Sequence, residues 1–223
     1  YEEVDYVRDR LLPDLQKGFS DNGYHLLGLF EIGYIYIYTN KPVHNLDELK
    51  GVKMWAYEGD KIQEKLFELA EFVPIFLPVT DVRTALQTGL INACFAPPLV
   101  AVSFQWDTKV QYYADPPLVN GMAGALVTKK KWDQISPEDQ KIIMEIAAKH
   151  QPQIIRDGRK DNADALEKMV EKGVQRIAID ATGMKDLQKI CDTMREQMTG
   201  SYFSKGMMDR LTQLLQEYRS QHP

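Results

Sequence analysis

The sequence is poor in the residues that build metal centres and nucleophilic active sites. Only Cys94 and Cys191 occur among 223 residues, far apart in the chain. Two cysteines so placed make neither a disulfide framework nor a metal site, and free buried thiols are expected. The four histidines, His25, His44, His150 and His222, have no second ligand at metal spacing. There is no G-x-S-x-G elbow, phosphate loop or dinucleotide fingerprint. No metal and no cofactor are expected. A net charge of −5 leaves no basic footprint for nucleic acid, and Lys129–Lys131 reads as a solvated turn. No apolar run approaches the ~20 residues of a membrane helix, and no signal peptide is visible. The chain begins at Tyr1, so it is expected to be a mature or truncated piece.

What is present is an alternation of short apolar strands and amphipathic helices, the pattern of an α/β protein. With 44% hydrophobic and 26% charged residues, the chain has the composition of an ordinary globular protein. Its centre is Val79–Pro98, VTDVRTALQTGLINACFAPP. Thr80 can cap a short helix whose Val82, Ala85 and Leu86 share one face. Gly89 ends that helix in the left-handed conformation, Leu90–Phe95 follows as a strand, and Ala96-Pro97-Pro98 stops it.

Upstream, Tyr1–Gly18 reads as a helix that Pro13 kinks or splits. Tyr24–Phe30 and Tyr34–Thr39 read as two strands, or one long strand bent at Gly33. Alternate residues share a face, so Tyr34, Tyr36 and Tyr38 are expected together on the sheet surface. Val52–Ala56 is a strand, Asp60–Phe72 a helix burying Ile62, Leu66 and Leu69, and Val73–Leu77 the next strand. Downstream come a helix at Leu99–Phe104 and strands at Val110–Tyr113 and Gly124–Val127. Ser136-Pro137-Glu138-Asp139 starts a long helix that should bend near Pro152 or Gly158 and bridge, rather than pack, over Arg156–Asn162. A strand at Val174–Ile179 and two amphipathic helices close the chain.

Three motifs in order carry a resemblance. "VHNLDELKGVKMW", "PVTDVRTALQTGLINACFAP" and "ALVTKKKWDQISPEDQKIIMEIA" are similar to the D-L-K-G-x-K, A-L-Q-x-G and W-D-x-L/I-x-P-E-D-Q segments of the DctP-type solute-binding proteins of TRAP transporters. The resemblance runs from Tyr1 to about Tyr218 and leaves out the family's N-terminal part. It implies a two-lobed, periplasmic-binding-protein-like α/β fold with mixed sheets and a long inter-lobe helix. Residues 1–223 would form most of such a protein, with the core of one lobe at 40–120 and the remainder making the hinge and the other lobe. It further implies a periplasmic receptor, free or membrane-anchored through the missing N-terminus, that delivers a small molecule to TRAP membrane subunits.

The same resemblance locates a binding site. The family's usual carboxylate-clamping arginine falls at Trp55 in "GVKMWAYE", a second arginine at Ile35 in "IGYIYIYTN", and an asparagine at Ala96, next to Phe95. Guanidinium is used at such places because it pairs bidentately with carboxylate. A carboxylate desolvated without a cation loses several kcal/mol, whereas burying one indole against an apolar ligand contributes roughly 4–6 kcal/mol at most. A cleft lined by Ile35, Trp55, Val79, Phe95 and Ala96 is therefore expected to take an apolar or aromatic ligand, with Tyr57 and Glu58 at its polar end. In the bland alternative, Trp55 and Ile35 merely fill a core. A second functional reading is a scaffold on the same fold that holds a periplasmic partner protein through Met184, Met194, Met198, Met207 and Met208. An enzyme built on a buried acid pair is the third.

Overall fold

The computed structural model describes residues Tyr1–His222. The chain forms two compact units: residues 1–32, 122–158 and 198–223 make unit 1, and residues 33–121 and 159–197 make unit 2. The chain passes between the units four times, once at the end of the helix Ala181–Met198 and three times within an element beside a glycine. Those three elements are strand β1 (Tyr24–Thr39) at Gly33, strand β6 (Val119–Thr128) at Gly121, and helix α6 (Pro137–Glu171) at Gly158.

Unit 1 rests on two helices. Helix α1 (Glu2–Asp21) buries Val7 and Leu11 against Leu214 of α8 (Lys205–Gln221). At the rim, the Tyr6 and Tyr218 rings lie 5.3 Å apart and Arg219 donates to Glu3 at 2.6 Å. Pro13 neither splits α1 nor ends it. Gly18, expected as the terminator, lies inside the helix with open space around it, and the left-handed Gly23 follows the true end instead. The lysine run forms one exposed helical turn, α5 (Lys129–Trp132), whose Trp132 tucks inward and stacks on His25 at 3.9 Å. Ser136 caps α6 as expected: its Oγ accepts from the Asp139 amide at 3.1 Å.

Unit 2 is organised by a mixed sheet, with strands in the order β3-β2-β4-β1-β5-β7 and β6 paired to β1. The strands are β2 (Lys53–Ala56), β3 (Val73–Phe76), β4 (Ala93–Ala96), β5 (Tyr112–Asp115) and β7 (Gln175–Ala178). The β2–β3 and β5–β7 pairs are parallel, and β1 runs antiparallel to β4 and β5. The helices are α2 (Lys61–Ala70), α3 (Val82–Thr88), α4 (Pro98–Ser103) and α7 (Ala181–Met198).

Several expectations are corrected in unit 2. Thr80 does not cap α3; Val79–Asp81 forms a 3₁₀ turn and the helix starts at Val82 without a side-chain cap. Leu90 and Ile91 belong to the turn, because the Ile91 amide bonds the Ala85 carbonyl, so β4 begins only at Ala93. Helix α2 is rotated from its expected face: it buries Gln63, Phe67 and Ala70, while Ile62 is 38% exposed. The tyrosines do not form a surface ladder. Tyr38 is fully buried, because β1 lies between β4 and β5 with residues packed on it, and Tyr34 and Tyr36 are half-buried. Nor does Arg156–Asn162 only bridge. Asn162 is buried and its Oδ1 accepts from the Leu99 amide at 3.1 Å. It lies so close to Gly33 (φ 113°) that a Cβ there would sit 2.6 Å from Asn162 Nδ2.

Candidate ligand-binding site

Strand alternation and register divide the unit-2 sheet into two faces. Tyr36 is paired with Ala96, Ile37 with Phe95, Tyr38 with Cys94, and Met54 with Ala93. Paired residues point to the same side and neighbours in a strand to opposite sides. Tyr36, Tyr38, Cys94, Ala96 and Trp55 therefore share one face, and Ile35, Ile37, Ala93, Phe95 and Met54 the other.

The first face is an aromatic core. Trp55 is 1% exposed, and its indole N–H donates to the Leu77 carbonyl at 2.9 Å. Its ring centroid lies 4.3 Å from Tyr57, 5.1 Å from Trp106 and 5.3 Å from Phe95, which packs against both faces near the strand end. Low dielectric marks this side. Burial pushes the Tyr38 hydroxyl well above its ordinary range, and burial also pushes the Cys94 thiol up.

The second face carries a cavity of about 250 Å³ between the sheet, α2 and α7. Ile35, Met54, Phe67, Phe95, Leu187 and Cys191 line it, with Asp60 and Gln63 as polar members and no lysine or arginine among the described residues. Asp60 is occupied: its Oδ1 caps α2, accepting from the Ile62 and Gln63 amides at 3.0 and 3.1 Å. Gln63 is half occupied. Its Oε1 accepts from the Tyr57 amide at 2.7 Å, which fixes the orientation of the carboxamide, because a backbone N–H can bond only the oxygen end. Its Nε2 is buried and has no hydrogen-bond partner among the described residues.

The residues expected to bind ligand are thus divided. Ile35 and Phe95 line the cavity; Trp55 and Ala96 are buried in the aromatic core, and half-buried Val79 packs against it. Tyr57 is 45% exposed over Trp55, and burial of its other edge raises its hydroxyl pKa, with Asp60 adding to the shift. Glu58 is exposed. Sequence reasoning missed Gln63, Leu187 and Cys191. A glutamine at the i, i+4 and i+7 stripe of Phe67 and Ala70 was the available signal, obscured by the choice of the neighbouring Ile62 stripe. Of the five methionines of the scaffold reading, only Met184 is exposed; Met198 is buried and Met194 lines the cavity. Both cysteines are free. Among the described residues no cluster of histidine, cysteine or acids suits a metal ion, and no helix is long and apolar enough to cross a membrane.

Solved structures share this fold. An extracytoplasmic solute receptor of Bordetella pertussis that binds pyroglutamic acid is 21% identical, with a TM-score of 0.86 over 96% of this chain and 70% of its own. A TRAP periplasmic solute-binding protein of Bradyrhizobium sp., in complex with galacturonate, is 20% identical, with a TM-score of 0.85 over 97% and 71%. One from Ochrobactrum anthropi, with its C-terminus bound in the ligand pocket, is 22% identical, with a TM-score of 0.83 over 99% and 69%. Residues 2–202 match the DctP family of bacterial extracellular solute-binding proteins, family 7. The chain therefore belongs to the DctP family, the solute receptors of TRAP transporters, which bind their cargo outside the cytoplasm and are not enzymes.

Proposed function

We propose that this receptor carries an apolar or aromatic solute. The observation that carries the reading is the state of the two positions where the resemblance implies arginines. Ile35 lines an apolar cavity, and Trp55 has its only polar hydrogen committed to the Leu77 carbonyl. Neither position offers a cation to a carboxylate, and an unpaired buried carboxylate is disfavoured by several kcal/mol. Capture would proceed by hinge closure. The chain crossings beside Gly33, Gly121 and Gly158 would absorb the motion, and a closed state favoured by differential apolar contacts would be presented to the membrane subunits.

A second reading, an acidic solute, draws on the pyroglutamate and galacturonate of the solved relatives and on one feature of this chain. The Nε of Arg83 on α3 is buried with no hydrogen-bond partner among the described residues, which leaves a guanidinium edge for a carboxylate. Mass spectrometry of the small molecule that co-purifies with the longest natural form separates the two. An apolar compound near one per chain is the expected result. A carboxylic acid whose retention is lost in Arg83→Met would replace the first reading with the second.

A further inference from the structure

Buried polar atoms in folded proteins are almost always paired, so an unpaired donor beside a cavity identifies a chemical complement. Gln63 Nε2 is a buried donor with no hydrogen-bond partner among the described residues, on a residue that lines a cavity. Gln63 is 6% exposed, its carboxamide is held from the other end by the Tyr57 amide, and it lines the cavity on the second sheet face. The other polar member, Asp60, already accepts two amide hydrogens and carries the negative charge that would repel an anion. The rest of the wall is aliphatic, aromatic and sulfur-bearing. A space of about 250 Å³ is at the small end for ligand pockets and suits a molecule of one ring.

We infer that the cavity between α2, α7 and the unit-2 sheet binds a small, uncharged, ring-sized apolar molecule bearing one hydrogen-bond acceptor, which Gln63 Nε2 engages. This rests on the reading of the ligand as apolar and adds to it a place, a size and an acceptor. The acceptor is a carbonyl or ether oxygen rather than a carboxylate, because no cation lines the cavity and Asp60 stands at its edge. The Nε2 hydrogens complete their bonding only when the ligand is present, so affinity should be several-fold weaker for analogues that lack the acceptor.

Acetophenone and ethylbenzene test this as a matched pair, alike in shape and different in the carbonyl. Calorimetric titration of the wild type should give acetophenone a roughly 3- to 10-fold lower Kd. The ratio should fall to about one in Gln63→Met, which keeps the side chain's length and removes both donors. Should that variant fold poorly, Gln63→Glu keeps an acceptor for the Tyr57 amide and still removes the donors. Location is read independently by iodoacetamide labelling of Cys191, a cavity residue, against Cys94, which is fully buried and serves as an internal reference. Acetophenone should slow labelling of Cys191. Equal affinity for the two probes in the wild type would overturn the role of Gln63, and an unprotected Cys191 would overturn the site. If an acid co-purifies while acetophenone still protects Cys191, the apolar-cargo reading fails and the cavity site stands.

Discussion

The two faces of the unit-2 sheet come from the same strands, and both hold buried polar atoms without hydrogen-bond partners among the described residues. On the aromatic face these are the Tyr38 hydroxyl and the Trp106 indole N–H; on the cavity face it is Gln63 Nε2. Tyr38 is fully buried in the same cluster as Trp106, which is wedged among rings, 5.1 Å from Trp55 and 5.9 Å from Phe104. Gln63 borders open volume. An unpaired donor in close packing is a cost the fold carries, whereas one on a residue that lines a cavity has volume nearby for a partner. The difference lies in the space next to the atom rather than in the atom.

The sharpest way to break this contrast is to empty the filled face. Trp55→Ala removes the indole at its centre and orphans the Leu77 carbonyl, so a loss of about 3–5 kcal/mol is expected in urea unfolding. A loss under 1 kcal/mol would mean that Trp55 is not a core residue. Gly33→Ala tests the position where β1 enters unit 2. Its left-handed backbone and the contact with Asn162 predict a loss of about 1–3 kcal/mol in the same assay.

Alkaline titration probes the aromatic face chemically. The Cys94 thiol and Tyr38 hydroxyl are raised in the fold, so above their unfolded values the unfolded chain binds fewer protons than the native one. Stability therefore falls as pH rises from about 8.5 for the thiol and about 10 for the phenol, by up to about 1.4 kcal/mol per pH unit for each group. Cys94→Ala should reduce the part of the slope that begins first, leaving the share of Cys191, whose thiol burial also raises, and an unchanged slope would contradict the burial of Cys94. The smallest effect is expected on the cavity face. Cys191→Met adds flexible volume to a space already present, so the unfolding free energy should change by less than about 1 kcal/mol while acetophenone binding is lost.

Much of the local structure was legible. Val82, Ala85 and Leu86 are all buried on α3, Gly89 closes it in the left-handed region, and Ser136 opens α6, because each depends on neighbours within one turn. The errors arose where a choice between neighbouring stripes needed a partner surface. On α2, Ile62-Leu66-Leu69 is the more apolar stripe, yet Gln63-Phe67-Ala70 meets the core, since the helix is set by the position of Phe67 against Phe72 and Phe95. Asn162 likewise looked like a solvated residue until Leu99, 63 positions away, supplied its donor.

The candidate site divides the same way. The sequence by itself determined the family and the order of strands and helices, carried by identity and spacing along the chain. Parity within each strand was also fixed. What only the tertiary structure decided was which side of β2 faces the same way as which side of β1. That depends on β4 lying between them and on its register with both, and it sends Ile35 to the cavity and Trp55 to the core. Side-chain period is a local property of extended backbone; the alignment of separate strands is set by long-range pairing and packing, which no single stretch of sequence contains.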